Sequence, residues 1–532
     1  MPGCGVPAAS GPADSFGLDF SSSATQPARS AIIFIVDGIN AQTFQSLLDE
    51  GKLPAMKKYF VDRGLSVVRA ESSHPSLTMD NLTSLVTGLY PGHHGLIAAK
   101  WFDRNRLIFR HYETLTDKNK LDDDYTAATI YDQFPGGLTC SLFLQPHKGA
   151  TKFYENRTSA GPAVFFNLKG LVDRIALYRF KEVMELSRQW GQFPSLCTVY
   201  QLSVNFTAYD YGASSPEYRE ALCELDRQFG RVLGDLQRAG KLEQTVIAFV
   251  SDHGHCDTSK HGQIHAYLRS LGLPTPEAMP TPEGWTFEQR AQHFNAYSAV
   301  SYGAGDRYWC LYLRKPVYDA KGYTLAGWIE RPSAQDLRNY PTCKGKFDLP
   351  LLLAQQPYMD AVAYLAEKDC VRVVRRQGEV EFRRVWQGLD ETGAREVKIT
   401  YHLVSGQDPL GWAGKVPPSA LAGEPLTSRQ WMEETADTEL PDLGSGLLSF
   451  YDGKLAGDIV GFPIPLWDFD GWRQAGHGGI RDFEVFCPML IAGPGIPHKS
   501  LKSARTVDLV PTVLDAMGKP VPPGLDGRSL LR

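Results

Sequence analysis

Four short stretches of the chain carry side chains able to do chemistry. In AIIFIVDG (31–38) an apolar run stops at Asp37. In HPSLTMDNLTSLVTGLYPGHHG (74–95) the hydroxyl of Thr78 precedes an apolar, helix-like run. The other two are Ser251-Asp252-His253-Gly254 and Gly476-His477-Gly478-Gly479. Most have a plain reading when each stands alone. Asp37-Gly38 makes a turn, Thr78 is a helix N-cap satisfying free backbone N–H groups, and the Gly-His-Gly-Gly stretch is a flexible loop. Asp252-His253 says more, because adjacent carboxylate and imidazole at a strand end are metal ligands in a place a cation can reach.

The elements that must position these residues follow from periodicity. AIIFIVDG and TVIAFVSDHG (245–254) are continuous apolar runs, rich in β-branched residues, each ending in an acid and a glycine-bearing turn, as buried parallel strands do. FCPMLIAGPGI (486–496) reads as a third of the same kind. Between the first two lie amphipathic stretches such as SPEYREALCELDRQFGRVLGDLQRAGKL (215–242), with apolar residues at three- and four-residue steps. Strands alternating with helices predict an α/β fold with a central, mostly parallel sheet flanked by helices. Ligands of such sheets sit beyond the carboxyl ends of the strands, where Asp37 and Asp252 fall. Residues 255–470 read differently. Short alternating segments (CVRVVRR, VEFRRVW, REVKITYHLV) predict a small antiparallel sheet. The expected organisation is a disordered leader over 1–30, a catalytic core from 31–254 and 475–532, and a cap-like α+β insertion over 255–474.

At roughly 100–200 residues per domain, 532 residues exceed one simple core, which agrees with that division. With 55 Lys+Arg against 60 Asp+Glu and no basic block, the chain offers no nucleic-acid-binding surface, and a small, metabolite-like partner is expected. No apolar run reaches the ~18–20 residues needed to cross a bilayer. The nine cysteines include no C-x-x-C pair and read as buried small hydrophobes. Residues 1–30 are rich in Gly, Ala, Ser and Pro and resemble the tail after a bacterial lipoprotein cleavage site, with Cys4 as candidate lipid anchor; an ordinary disordered start is the alternative. His255, His261 and His265 read as solvent-exposed loop histidines rather than added ligands. His147, Lys148 and Arg157 read as phosphate-reaching or as plain surface charge, and Trp412 as a stacking platform or as core.

Taken together and in this order, the four stretches, with TSLVTGLYPGHHGL (83–96) and the tail HGGIRDFEVFCPMLIAGPGI, resemble the alkaline phosphatase superfamily and, within it, the type I phosphodiesterase and nucleotide pyrophosphatase family. The resemblance implies an alkaline-phosphatase-like core. It implies one metal site from Asp37, Thr78, Asp252 and His253, with Thr78 both ligand and nucleophile. Coordination to a divalent cation lowers the pKa of a hydroxyl that is otherwise a weak nucleophile. Asn81, with the backbone N–H of Met79, is implied as donor to a nonbridging phosphoryl oxygen. Attack on phosphorus releases an alcohol or nucleotide and leaves a phosphothreonine for water to cleave. The implied substrate is a phosphorylated small molecule or phosphodiester. The implied cofactor is a divalent metal, zinc foremost, with manganese or magnesium as alternatives. The implied location is extracytoplasmic, periplasmic or lipid-anchored, with a soluble one as the alternative.

The chain departs from the family at the second metal site. There the family places an Asp, a His four residues later and a His from the C-terminal His-Gly segment. In VYQLSVNFTAYDYGASS the matching positions hold Asn205 and Tyr209, and only His477 remains. An amide oxygen attracts a dication far less than a carboxylate, and a phenol with a pKa of ~10 is a poor ligand at pH 7. If the segment leaves a strand, Asp210 points away from the Tyr209 face, so substitution by it needs a local shift. One firmly bound ion is expected, the second weak or absent. A hydrolase with His477 and Tyr209 serving the leaving oxygen fits this pattern. So does a single-metal phosphotransferase of the phosphoethanolamine-transferase type, or a catalytically silent binding protein.

Overall fold

The computed structural model describes residues 29–114, 117–154, 169–190, 193–276, 279, 284–320, 322–389, 395–469 and 473–532. Residues 1–28 of the expected leader, with Cys4, and Arg157 lie outside the described residues, and Ser30 already belongs to the first strand.

The core is a nine-stranded sheet. Its principal strands in chain order are β1 (Ser30–Val36), β2 (Leu65–Glu71), β3 (Thr139–Leu142), β4 (Lys152–Tyr154), β5 (Leu196–Gln201), β6 (Thr245–Ser251) and β7 (Phe486–Ala492). Across the sheet they run β2-β7-β6-β1-β5-β3-β4, with Lys499–Ser500 and Ala504–Arg505 both pairing with β2. Strands β6, β1, β5, β3 and β4 are parallel. β7 is antiparallel to both its neighbours, β2 and β6, which corrects its reading as another parallel strand. A run buried on both faces is uniformly apolar in either direction, so its composition does not carry its sense.

Apolar faces of flanking helices cover the sheet. α1 (Thr78–Thr87), α2 (Lys169–Trp190), α3 (Ser203–Tyr211) and α4 (Pro216–Arg238) matter most for the site. Along α4 the buried Tyr218, Leu222, Leu225, Phe229, Val232, Leu233 and Leu236 recur at three- and four-residue steps. They face β1, where Phe34 meets Phe229 edge-on at 4.7 Å and Phe180 of α2 at 5.5 Å.

The antiparallel sheet expected near 370–405 is larger than the sequence pattern suggested. Eight strands from Ala299–Ala304 to Ile459–Pro463 are joined by antiparallel pairing throughout. Several are uniformly buried, such as Tyr308–Leu313, and so lack the alternation that betrays a half-exposed strand. Trp412 fills the core beneath this sheet, against Trp431 and Phe382. All the described cysteines are free, and all but Cys343 are buried.

Candidate active site

Three parallel strands end level with one another. Val36 of β1 is in register with Gln201 of β5 on one side and Ser251 of β6 on the other. The next residues, Asp37, the start of α3 and Asp252-His253, therefore leave the sheet at one point beside its central strand. The loop after β1 is pinned to β6, since Gly38 N donates to Asp252 Oδ1 at 3.0 Å and Ile39 N to Ser251 Oγ at 2.8 Å.

Thr78 arrives from the other side. It is the first residue of α1, whose cap is Leu77 and not Thr78, so its hydroxyl is not spent on capping. The Thr78 hydroxyl lies 3.0 Å from His253 Nε2, within hydrogen-bond reach. His253 Nδ1–H donates to the Gly254 carbonyl at 2.9 Å, which turns Nε2 to the site. The same nitrogen lies 3.3 Å from Asp37 Oδ1 and 3.5 Å from Asp252 Oδ2. Those two carboxylate oxygens are buried without a hydrogen-bond partner, an expensive condition. Asp37, Asp252 and His253 bring their ligand atoms within 4.8 Å of one another. Two orphaned anionic oxygens, an imidazole nitrogen and a hydroxyl converging on one point are a donor set that suits a divalent cation. Burial, then the nearby Asp37, pushes the Asp252 carboxyl up to about 8. Burial opposes charge on His253, but Asp252 and Asp37 outweigh it and raise the imidazole to about 9.

Asn81 sits apart from this convergence. Its amide donates to the carbonyls of Leu77 (2.9 Å), Pro75 (3.1 Å) and Ser73 (3.3 Å), and its Oδ1 accepts from Ser73 N at 2.6 Å. In this structure its donors clamp the 73–77 loop that delivers Thr78.

Asn205 and Tyr209 lie one turn apart on the buried face of α3. The segment is a helix where a strand exit was expected, so Asp210 is turned about 100° from Tyr209 along the helix. Asp173 of α2 starts this helix, accepting from Leu202 N at 2.8 Å and Ser203 N at 3.1 Å and from the Ser203 hydroxyl. Asn205 Nδ2 donates to Asp37 Oδ2 at 3.2 Å, which also accepts from the Tyr200 hydroxyl at 2.5 Å. Tyr209 O–H donates to His477 Nε2 at 2.6 Å. The imidazole of His477 donates through Nδ1 to Ser76 O at 3.1 Å and stacks on His253 at 3.7 Å. Burial, and then the nearby His253, depress the His477 pKa well below its usual value, while burial raises the Tyr209 phenol well above its own despite Arg473, whose guanidinium lies 3.8 Å over the ring. A neutral amide and a phenol bonded into this network do not suit a second dication.

His255 was missed. It is buried, with Nε2 2.6 Å from Asn205 Oδ1, and not the exposed loop histidine expected. The signal was its spacing from His253, because alternate residues of an extended segment share a face. Its neighbour strand Cys256–His261 pairs antiparallel with Ala475–Gly476, drawing the His255 and His477 loops together. Tyr200, hidden inside an apolar strand, carried no such signal. His261 pairs with Asp468, while His147 and Lys148 bond the Gln145 and Tyr125 carbonyls.

An acid-threonine-acid-histidine cluster thus gathers at the carboxyl ends of the central parallel strands. The sequence model of the type I phosphodiesterase / nucleotide pyrophosphatase family matches residues 31–305, and the chain belongs to that family. Among curated relatives, bis(5'-adenosyl)-triphosphatase ENPP4 of Bos taurus is 25% identical over 46% of this chain and 51% of its own length. GPI ethanolamine phosphate transferase 1 of Aspergillus oryzae is 24% identical over 47% of this chain and 25% of its own. The chain thus matches about half or less of these relatives' length. The fold is that of human ectonucleotide pyrophosphatase / phosphodiesterase 5, aligned over 94% of this chain and 97% of that one with a TM-score of 0.55 at 12% identity.

Proposed function

We propose that the protein is a phosphoric ester hydrolase of the phosphodiesterase and nucleotide pyrophosphatase type, acting through Thr78 with one divalent cation, zinc foremost. The observation that carries this reading is the meeting of the Thr78 hydroxyl, His253 Nε2 and the two partnerless oxygens of Asp37 and Asp252. Asp37, Asp252, His253 and Thr78 would hold the cation, which when bound would supply Lewis-acid activation of the threonine hydroxyl. Within the buried cluster Thr78 is the partly exposed member, so an incoming ester meets the nucleophile first. Thr78 Oγ loses its proton and bonds to phosphorus, the P–O bond to the leaving group breaks, and the departing oxygen takes up a proton. Water then attacks the phosphothreonine, freeing Thr78 and a phosphorylated product. Tyr209 keeps its proton at neutral pH, and its O–H, which donates to His477 Nε2 in this structure, would turn from that nitrogen to meet the leaving oxygen.

A phosphotransferase is the second reading, favoured by the similarity to the ethanolamine phosphate transferase. In it the phosphothreonine is attacked by an alcohol instead of water. A panel of p-nitrophenyl phosphomonoester, p-nitrophenyl phosphodiester and nucleotide pyrophosphate substrates, assayed with added zinc or manganese, tests the proposal. Thr78→Ala should lower turnover by at least ~10³-fold. Equal rates for wild type and Thr78→Ala on every substrate would leave only a binding role. Transfer to added ethanolamine or glycerol in excess of hydrolysis would favour the second reading.

A further inference from the structure

His255 occupies an unusual place. Its ring stands edge-on to Tyr209 at 5.5 Å, to His253 at 5.6 Å and to His477 at 5.3 Å. Its Nε2 is 2.6 Å from Asn205 Oδ1, and its Nδ1 is 3.3 Å from the Gly476 carbonyl. A Cβ on Gly38 would fall 2.5 Å from that Nε2 and 3.1 Å from Asn205 Oδ1, so the ring fills the space between the turn after β1 and α3. Asn205, Tyr209 and His477 surround it, and these are the three positions from which a second cation would be held.

The distances decide whether an ion and this ring can coexist. Two ligands about 2.0–2.1 Å from one tetrahedral ion lie roughly 3.3 Å apart. Asn205 Oδ1 and His255 Nε2 are closer than that at 2.6 Å, as are Tyr209 Oη and His477 Nε2 at 2.6 Å. The short contacts on the α3 side each hold one proton. Asn205 donates to Asp37 and so offers its oxygen to His255, whose Nε2 carries the hydrogen between them, while Tyr209 gives its proton to His477.

We propose that the imidazole of His255 stands in the place of the second cation, and that His255 itself holds the chain to one ion, beyond the loss of ligands at 205 and 209. This inference rests on the one-ion reading above. It predicts that restoring an acid and an imidazole on α3 is not enough while His255 remains.

The test is metal content after equilibrium dialysis against micromolar zinc, with folding followed by circular dichroism. Wild type and N205D/Y209H should each hold one ion per chain, and N205D/Y209H/H255A two. Uptake of a second ion by N205D/Y209H would overturn the inference, as would a folded triple variant that stays at one. Two ions in the wild type would instead overturn the one-ion reading, so the two failures are distinguishable. N205D against N205D/H255A repeats the comparison with Tyr209 in place, in case the triple variant does not fold. A higher zinc affinity of a second site in N205D/H255A is expected, and equal zinc binding by the two would count against His255.

Discussion

Removing Arg307 should cost more than any exposed charge in the molecule. Arg307 follows the turn at 305–306 in the second sheet, while Glu484 precedes β7 of the core, and neither side chain is exposed to solvent. The guanidinium grips the carboxylate through Nε at 2.7 Å and Nη2 at 3.2 Å, and its other donors reach the carbonyls of Pro463, Ile464 and Trp467. Glu484 Oε1 also accepts from Gly479 N at 2.9 Å, two residues beyond His477. In Arg307→Met that N–H is the carboxylate's one remaining hydrogen-bond partner among these contacts. Breaking one partner of a buried pair costs about 3–5 kcal/mol, because the survivor stays charged in a poorly polarisable place. The double variant R307M/E484M removes both charges and should recover at least ~2 kcal/mol of the summed single losses. Urea unfolding of the four proteins, followed by tryptophan fluorescence, gives the cycle. A loss below ~1 kcal/mol in R307M, or strict additivity in the double variant, would refute the reasoning. Because Gly479 O accepts from Ser76 Oγ at 2.8 Å, the variant should also lose turnover under conditions where it remains folded.

Three further outcomes follow from single features. Gly38 has φ +70°, and a Cβ there meets His255 Nε2, so Gly38→Ala should cost about 1–3 kcal/mol and perturb Asn205; stability within ~0.5 kcal/mol of wild type in urea unfolding would count against it. His93 is raised to about 9 by hydrogen bonds to Asp452 and then Asp526, and its stabilising effect should be complete below pH 6.5 and lost as pH rises through 9. With 36% of that side chain exposed, the effect is discounted to ~1 kcal/mol, read as the stability difference between wild type and His93→Gln at pH 6, vanishing near pH 10. Asp173→Ala removes the acceptor at the start of α3 and should cost about 1–2 kcal/mol in thermal unfolding, whereas Asp173→Asn, which keeps an acceptor, should cost less.

The cluster of Asp37, Thr78, Asp252 and His253 was legible because each residue sits at the end of an element with a strong pattern, and strand ends are where a parallel sheet gathers ligands. What stayed hidden depends on contacts distant in sequence. His255 lies in a polar loop whose burial comes from a strand pair joining Cys256 to Gly476. Asn81 has the right type and spacing for a phosphoryl donor, yet a cluster of nearby carbonyls at 73, 75 and 77 claims its protons. The helix Ser203–Tyr211 is rich in residues that favour strands, and a carboxylate on a different helix starts it. Patterns of apolar periodicity report which face is buried; they do not report which polar groups will be paired inside.

Charge explains why an amide is the right residue at 205. On the one-ion reading proposed above, a dication would balance the carboxylates of Asp37 and Asp252, with the buried His255 and His477 neutral. A carboxylate at 205 would add a third negative charge with an oxygen about where Asn205 Nδ2 now lies, 3.2 Å from Asp37 Oδ2. At an effective dielectric constant near 20 the bare repulsion is about 5 kcal/mol, which a proton shared between the two carboxyls would relieve. An amide reverses the sign of the contact, since Nδ2 donates to the same oxygen. Arg473, stacked on Tyr209 and paired with Asp306 at 3.2 Å, adds no net charge to this balance. On the one-ion reading proposed above, attraction for a phosphoryl group comes from the single ion.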